Sequence, residues 1–238
     1  MCRLLVLWDI DHTLIENHGV NKEIYVYAFE LLTGEQPMYP ARTDGRTEPE
    51  IMRDMLVRQG MAPNRDYVGR MPEALEKATL SKAAVLRERG HELVGARNAL
   101  IALQTSPVVQ SVLSGNIKPN AFTKLSTFQL DTYIDFEVGG YGSDDDVRAN
   151  LVAFAQERAS AKYGVSFGED NTVLIGDTVR DVQAGRNGGA HVIAVASGSD
   201  SPETLRAAGA DIVLADLADT QAMVRAVMGF ASPGHLQS

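Results

Sequence analysis

The sequence predicts an α/β fold, a doubly wound parallel sheet with an inserted all-α cap, and three observations lead there. The apolar run Leu4-Leu5-Val6-Leu7-Trp8 stops at Asp9-Ile10-Asp11, as a buried strand does when it reaches the mouth of a sheet. From about residue 95 onward, strand-like and helix-like stretches alternate, the pattern of a parallel sheet with crossover helices. Between the two, residues 16–94 read as helices without a strand. The expected division is therefore a core of residues 1–15 and 95–230 around a helical cap of residues 16–94, with 231–238 as a mobile, patternless tail. A length of 238 residues suits one core with an insertion.

In the insert, Asn21 caps a helix whose Ile24, Ala28, Leu31 and Leu32 recur at helical spacing until Gly34. A polar connection leads to Thr47-Glu48-Pro49-Glu50, a capping-box pattern opening a second helix with Ile51, Met55 and Leu56. Pro63 and Asn64 mark a turn, and a third helix runs from near Pro72 to Gly90. Beyond the insert, a helix spans 96–103, a strand 108–113 ends in Ser114-Gly115-Asn116, and a helix covers about 119–128. A short apolar piece, Tyr133 to Val138, precedes Gly139-Gly140-Tyr141-Gly142. Asp144 to Asp146 are expected to begin a long helix with Val147, Leu151, Ala155 and Ala159 on one face. The strand Val173-Leu174-Ile175 runs into Gly176-Asp177-Thr178, followed by a helix near 181–186 and a strand 191–196. A helix from Ser201-Pro202, a strand 211–214 and a helix 219–228 complete the pattern.

Composition narrows the function. Hydrophobic residues at 45% and charged ones at 22% are ordinary globular values. A net charge of −9 argues against a nucleic-acid surface, which draws on clustered Lys and Arg. An anionic substrate would need a local device such as a metal ion, a helix N-terminus or one or two basic residues. One cysteine cannot form an internal disulfide, and the N-terminal apolar run is cut short by Asp9. The expectation is thus a soluble, cytoplasmic protein, monomer or homodimer, without a membrane or nucleic-acid partner.

In an open α/β sheet, ligands sit beyond the carboxyl ends of the strands, near the point where strand order reverses. Asp9 and Asp11 lie at such an end, one free to attack and the other to shuttle protons. A carboxylate attacking phosphorus forms an acyl-phosphate and needs a cation to offset the repulsion between anions. An Asp at a strand end is also a common cap or turn residue, and Ser114 alone reads equally as a cap of the helix near Pro119. Asp177 and Asp181 add two further acids at a third strand end.

Taken in order, Asp9-Ile10-Asp11-His12-Thr13, Ser114-Gly115-Asn116 and Gly176-Asp177-Thr178-Val179-Arg180-Asp181 resemble the motifs of the haloacid dehalogenase superfamily. Specifically, they resemble its phosphoglycolate-phosphatase-like branch with a helical cap, over Leu4 to about Leu214. The resemblance implies a phosphatase with Asp9 as nucleophile and Asp11 as general acid, then base. It assigns a phosphate oxygen to Ser114 and the N–H groups of Gly115 and Asn116. It assigns Mg²⁺ to the Asp9 carboxylate, the Asp11 backbone carbonyl and Asp177, with Asp181 in support. The partner implied is a small phosphorylated metabolite. Gly45-Arg46-Thr47 resembles that branch's substrate loop, making Arg46 and Thr47 specificity candidates, although a turn and a capping box would read the same.

The chain departs from the family at the third motif, where a Lys is usual. Arg148 falls there, and a guanidinium can hold phosphate with two parallel hydrogen bonds. Lys118 and Lys124 are the alternatives, with Lys124 expected on a solvated helix face. His12 is expected, by strand alternation, to point away from the two acids. Two other functions stay open: a phosphomutase of the β-phosphoglucomutase type, if the cap excludes water, and a receiver-like phosphoacceptor module, disfavoured by the helical insert. A dehalogenase is disfavoured because such relatives lack the second acid of the first motif.

Overall fold

The computed structural model of the protein describes residues 3–43 and 45–231. The expected tail from Ser232 lies outside these. Six parallel strands form the sheet, in the order β5 (Gly140–Tyr141), β4 (Val108–Ser114), β1 (Leu4–Trp8), β6 (Thr172–Gly176), β7 (His191–Val195), β8 (Ile212–Leu214). β1 is central and buried throughout, which is why it reads as a continuous apolar run instead of an alternating one. Leu4, Val6 and Trp8 pack on one side, with α4 (Ala96–Gln104), α5 (Lys118–Thr127) and α9 (Thr220–Gly229). Leu5 and Leu7 pack on the other, against Leu151 and Val152 of α6 (Asn150–Tyr163) and Ala184 of α7 (Val179–Gly188). The short α8 (Pro202–Ala208) flanks β7 through Leu205. Strand order reverses at β1, so the mouth formed by the ends of β4, β1 and β6 is where a ligand belongs.

Residues 20–89 form three helices whose apolar cluster also takes in Ile117 of the core: α1 (Val20–Thr33), α2 (Glu48–Arg58) and α3 (Arg65–Arg89). Details differ from the sequence reading. The segment is not free of strand, because β2 (Ile15–Glu16) pairs antiparallel with β3 (His91–Glu92) where the insert leaves and rejoins the core. Leu31 is exposed, and the buried face of α1 is Val20, Ile24, Tyr25, Ala28, Phe29 and Leu32. α3 begins at Arg65, with Asn64 accepting the Tyr67 N–H, and runs through Pro72. Burial of Met71, Ala74, Leu75 and Ala78 outweighs the hydrogen bond that one interior proline removes.

Two corrections bear on the site. The edge strand β5 falls on Gly140–Tyr141, after two short 3₁₀ turns, and not on the apolar piece Tyr133 to Val138. α6 begins at Asn150, and Val147 is 57% exposed and off its buried face. The acids expected to open the helix are engaged elsewhere: Asp144 accepts the Tyr141 N–H and pairs with Arg158, and Asp145 accepts the Val147 N–H. Arg148 consequently sits at the end of a loop, from which it reaches the strand mouth. Among the described residues, no helix is long and apolar enough to cross a membrane.

Candidate active site

Asp9 follows directly on β1 and is anchored by its N–H to the Ile175 carbonyl of β6, 2.8 Å. Asp177 follows β6, where Thr13 Oγ1 donates to its Oδ1 at 3.2 Å, and Asp181 lies in the first turn of α7. Thr178 and Asp181 cap α7 reciprocally: the Asp181 N–H donates to Thr178 Oγ1, and Asp181 Oδ2 accepts from the Thr178 hydroxyl and N–H. All three acids are buried, with one carboxylate oxygen of each lying within 4.8 Å of the others. Three buried carboxylates so close cannot all be ionised unless a cation compensates them. Burial, then Asp181 and Asp11, push Asp9 up to about 7 against the pull of Arg148. Burial, then Asp9 and Asp181, push Asp177 up to about 9. Hard oxygen donors under mutual repulsion fit a divalent cation, and Asp9, Asp177 and Asp181 are the residues that would hold it. The loop after β7 closes over the group at Gly198, where a Cβ would stand 1.8 Å from Asp177 Oδ2, so only glycine fits.

Arg148 occupies the place the sequence left for a basic group. Its Nη2 donates to Asp9 Oδ1 at 2.8 Å and to Asp181 Oδ1 at 2.5 Å, and its Nε to Asp181 Oδ1 at 3.0 Å. Burial works against its charge, but Asp181 and Asp9 outweigh that and raise its pKa.

Asp11 lies two residues from Asp9 and in the opposite surroundings. Its Oδ1 accepts from Asn17 and Asn21 amides at 3.1 and 3.0 Å, and its Oδ2 from Asn116 at 3.2 Å and Lys124 Nζ at 2.7 Å. Burial pushes its carboxyl up, but Lys124, Asn116 and Asn21 prevail and hold it at about 2. Lys124 is therefore not on a solvated face. It is 1% exposed and bridges Asp11 to Asn116 Oδ1, 2.6 Å away. Lys118 pairs with Glu137 at the surface.

Ser114 ends β4, and its Oγ accepts from the Asn116 side chain at 2.6 Å and the Asn116 N–H at 3.3 Å. It does not cap α5, whose N-cap position is Ile117. Gly115 is pressed between the Arg46 carbonyl and Arg148, a Cβ meeting the former at 2.3 Å. A cavity of about 910 Å³ opens over these groups, lined among others by Asn21, Lys22, Tyr25 and Arg46 of the insert and Arg180 of α7. Arg46 pairs with Glu50 and Asp54 at its rim. Thr47 does not line the cavity; buried, it accepts the Glu50 N–H as cap of α2. His12 lies beyond the strand in a left-handed turn, φ 65°, so strand alternation does not govern it, and its ring pairs with Glu16.

Solved structures and one family model share this arrangement of elements. Residues 148–220 match the family described as HAD-hydrolase-like. A hydrolase from Pseudomonas syringae is 20% identical, covers 94% of this chain and 99% of its own, and superposes with a TM-score of 0.68. A predicted phosphatase from Clostridium acetobutylicum is 16% identical over 94% of this chain and all of its own, TM-score 0.66. A predicted phosphoglycolate phosphatase from Haemophilus somnus is 13% identical over 93% and 98%, TM-score 0.63. No curated protein sequence matches the chain. The fold is that of the haloacid dehalogenase-like hydrolases.

Within that fold, sequence reasoning gave Asn17, Asn21 and Glu48 no part in the site and kept Lys124 only as an alternative to Arg148. A signal existed for Lys124: it shares with Asn120, Ala121 and Leu125 the i, i+3, i+4 spacing of the buried face of α5. None existed for the asparagines: Asn17 precedes the turn into α1, and Asn21 lies in the first turn of α1, whose N-cap is Gly19 and not Asn21.

Proposed function

We propose that the protein is a Mg²⁺-dependent phosphatase that hydrolyses a small phosphorylated metabolite through an aspartyl-phosphate on Asp9. The observation that carries this reading is the gathering of Asp9, Asp177 and Asp181, with Arg148 bridging the first and last, at the mouth of β1, β4 and β6. A bound divalent cation would neutralise the acids and polarise the phosphoryl group. Asp9 attacks phosphorus, the bond to the leaving oxygen breaks, and the phosphoryl group passes to the Asp9 carboxylate. Arg148 steadies the charge on the equatorial oxygens, and Ser114 Oγ with the N–H groups of Gly115 and Asn116 holds a further oxygen. Asp11 is ionised in the free protein, so it must first take up a proton as the substrate monoanion binds and offsets Lys124; it then passes that proton to the leaving oxygen and later takes one from the water that attacks the acyl-phosphate. Its four acceptor contacts show what this requires: a leaving group must displace the Asn17 or Asn21 amide before sharing a proton with Asp11.

Arg46, which lines the cavity together with Lys22, is our candidate for reading the rest of the substrate. A screen of phosphorylated metabolites with Mg²⁺, repeated in excess chelator, tests the proposal. Release of phosphate from a narrow group of small esters, lost on chelation, is the expected result. Hydrolysis that persists without a metal contradicts it.

A further inference from the structure

The insert meets the core through a buried carboxylate that the reaction does not use. Glu48, the first residue of α2, is 1% exposed, and its Oε2 accepts the Ile117 N–H at 2.9 Å and the Asn120 amide at 2.8 Å. Both donors belong to the N-terminus of α5, which has no side-chain cap of its own. The Glu48 N–H in turn donates to the Gly115 carbonyl at 2.7 Å. Backbone and side chain of one insert residue thus grip both ends of the segment joining Ser114 to α5, the helix that carries Lys124 to Asp11.

We propose that Glu48 is a positioning residue, a latch by which the helical insert, when closed, fixes the phosphate loop and Lys124. That second half rests on the phosphatase reading above; the latch does not. The ion pairs that tie α2 to the core are weak by comparison. Arg53 with Asp146 and Glu50 with Arg180 are solvent-facing pairs, of a kind contributing little. Removing Glu48 instead leaves the Ile117 N–H and the Asn120 amide buried without a partner.

The latch also senses protons. Glu48 Oε1 and Asn120 Oδ1 are buried with no hydrogen-bond partner, so the carboxylate is incompletely compensated. The charged or titratable groups facing it are Lys124 on α5, Asp11 after β1 and Tyr25 on α1. Burial pushes Glu48 up to about 7, against the pull of Lys124, the Ile117 N–H and Asn120 and with the push of Asp11. An open insert returns the group to water and its ordinary value. The closed form therefore holds the extra proton between the two values, and closure weakens as pH rises toward 7, by about tenfold between pH 6 and 8.

Amide hydrogen exchange on the whole protein without substrate, corrected for intrinsic rates, reads this directly. In the wild type, the segments 48–58 and 115–121 should be protected at pH 6 and about tenfold less so at pH 8. Glu48→Gln, which keeps the shape and an acceptor oxygen, should abolish that pH dependence. Glu48→Ala should expose both segments at either pH and, under turnover, lower kcat by roughly tenfold or more as Lys124 loses its register. Protection in Glu48→Ala equal to wild type, or a pH dependence that survives in Glu48→Gln, overturns the latch. A phosphatase screen that fails while the exchange result holds overturns the function alone.

Discussion

Asp9 and Asp11 are two residues apart and live in opposite electrostatic surroundings. Around Asp9 the protein has gathered anions: Asp177 and Asp181 crowd it, and Arg148 is the single cation between Asp9 and Asp181. Around Asp11 it has gathered donors: one lysine and three asparagine amides occupy both oxygens. The first group would be completed by an external cation, whereas the second is already neutralised by the protein itself. Under the proposed mechanism each acid therefore needs help: Asp9 needs the cation's charge to stand ionised, and Asp11 needs a proton brought in with the substrate.

The largest expected effect comes from breaking the first group at its centre. Asp9→Asn should reduce turnover to background while leaving the fold intact, since an amide cannot accept the phosphoryl group; circular dichroism and a phosphate-release assay report both. Retained turnover removes Asp9 from the mechanism.

Next come the two cations. Arg148→Ala should cost several kcal/mol, roughly 10²- to 10³-fold in kcat, because a preorganised charge aimed at phosphate is lost, and Arg148→Lys should recover part of it. Lys124→Ala should differ in kind. Without its pull, burial raises Asp11 above about 2, so its protonated form persists further and the alkaline limb of the kcat/KM profile moves to higher pH. If both variants lower kcat equally with no shift of that limb, the contrast between the two groups is false.

The smallest effects concern metal affinity and stability. Asp177→Asn should weaken Mg²⁺ binding, followed by calorimetry, more than Asp181→Asn does, because Asp181 already spends its oxygens on Thr178 and Arg148. In chelator, Asp177→Asn should raise Tm by a few degrees, about 1–3 kcal/mol. The sign follows from linkage: a carboxyl held at about 9 in the fold favours the folded state at low pH and penalises it as pH rises. The gain should therefore grow from pH 5 to pH 9. A gain independent of pH would separate the stability effect from the Asp177 charge.

The central strands and the acids at their mouth were legible because β1 and β6 announce themselves by composition and stop at an acid, Leu4 to Asp9 and Val173 to Asp177. Boundaries were less so where acids serve local turns: Asp144 and Asp145 look like a helix start, yet their oxygens serve Tyr141, Arg158 and Val147. The cations around the two acids were legible only in part. Arg148 was found by its distance along the chain, but Lys124 was misplaced because a lysine among Thr123, Ser126 and Thr127 suggests solvent. Only its partner Asp11, 113 residues away, explains its burial. Glu48 reads as an intervening residue of a capping box formed by Thr47 and Glu50, and nothing local tells that its carboxylate turns toward the core.

The most direct test of the account is to quench the enzyme in acid during turnover with Mg²⁺, reduce it with borohydride and map the peptides. An acyl-phosphate on an aspartate is converted to homoserine by this treatment, whereas a free carboxylate is not. The account predicts homoserine at residue 9 alone, absent when substrate or metal is omitted. Homoserine at Asp11, Asp177 or Asp181, or none at residue 9 under steady turnover across a range of quench times, would contradict it.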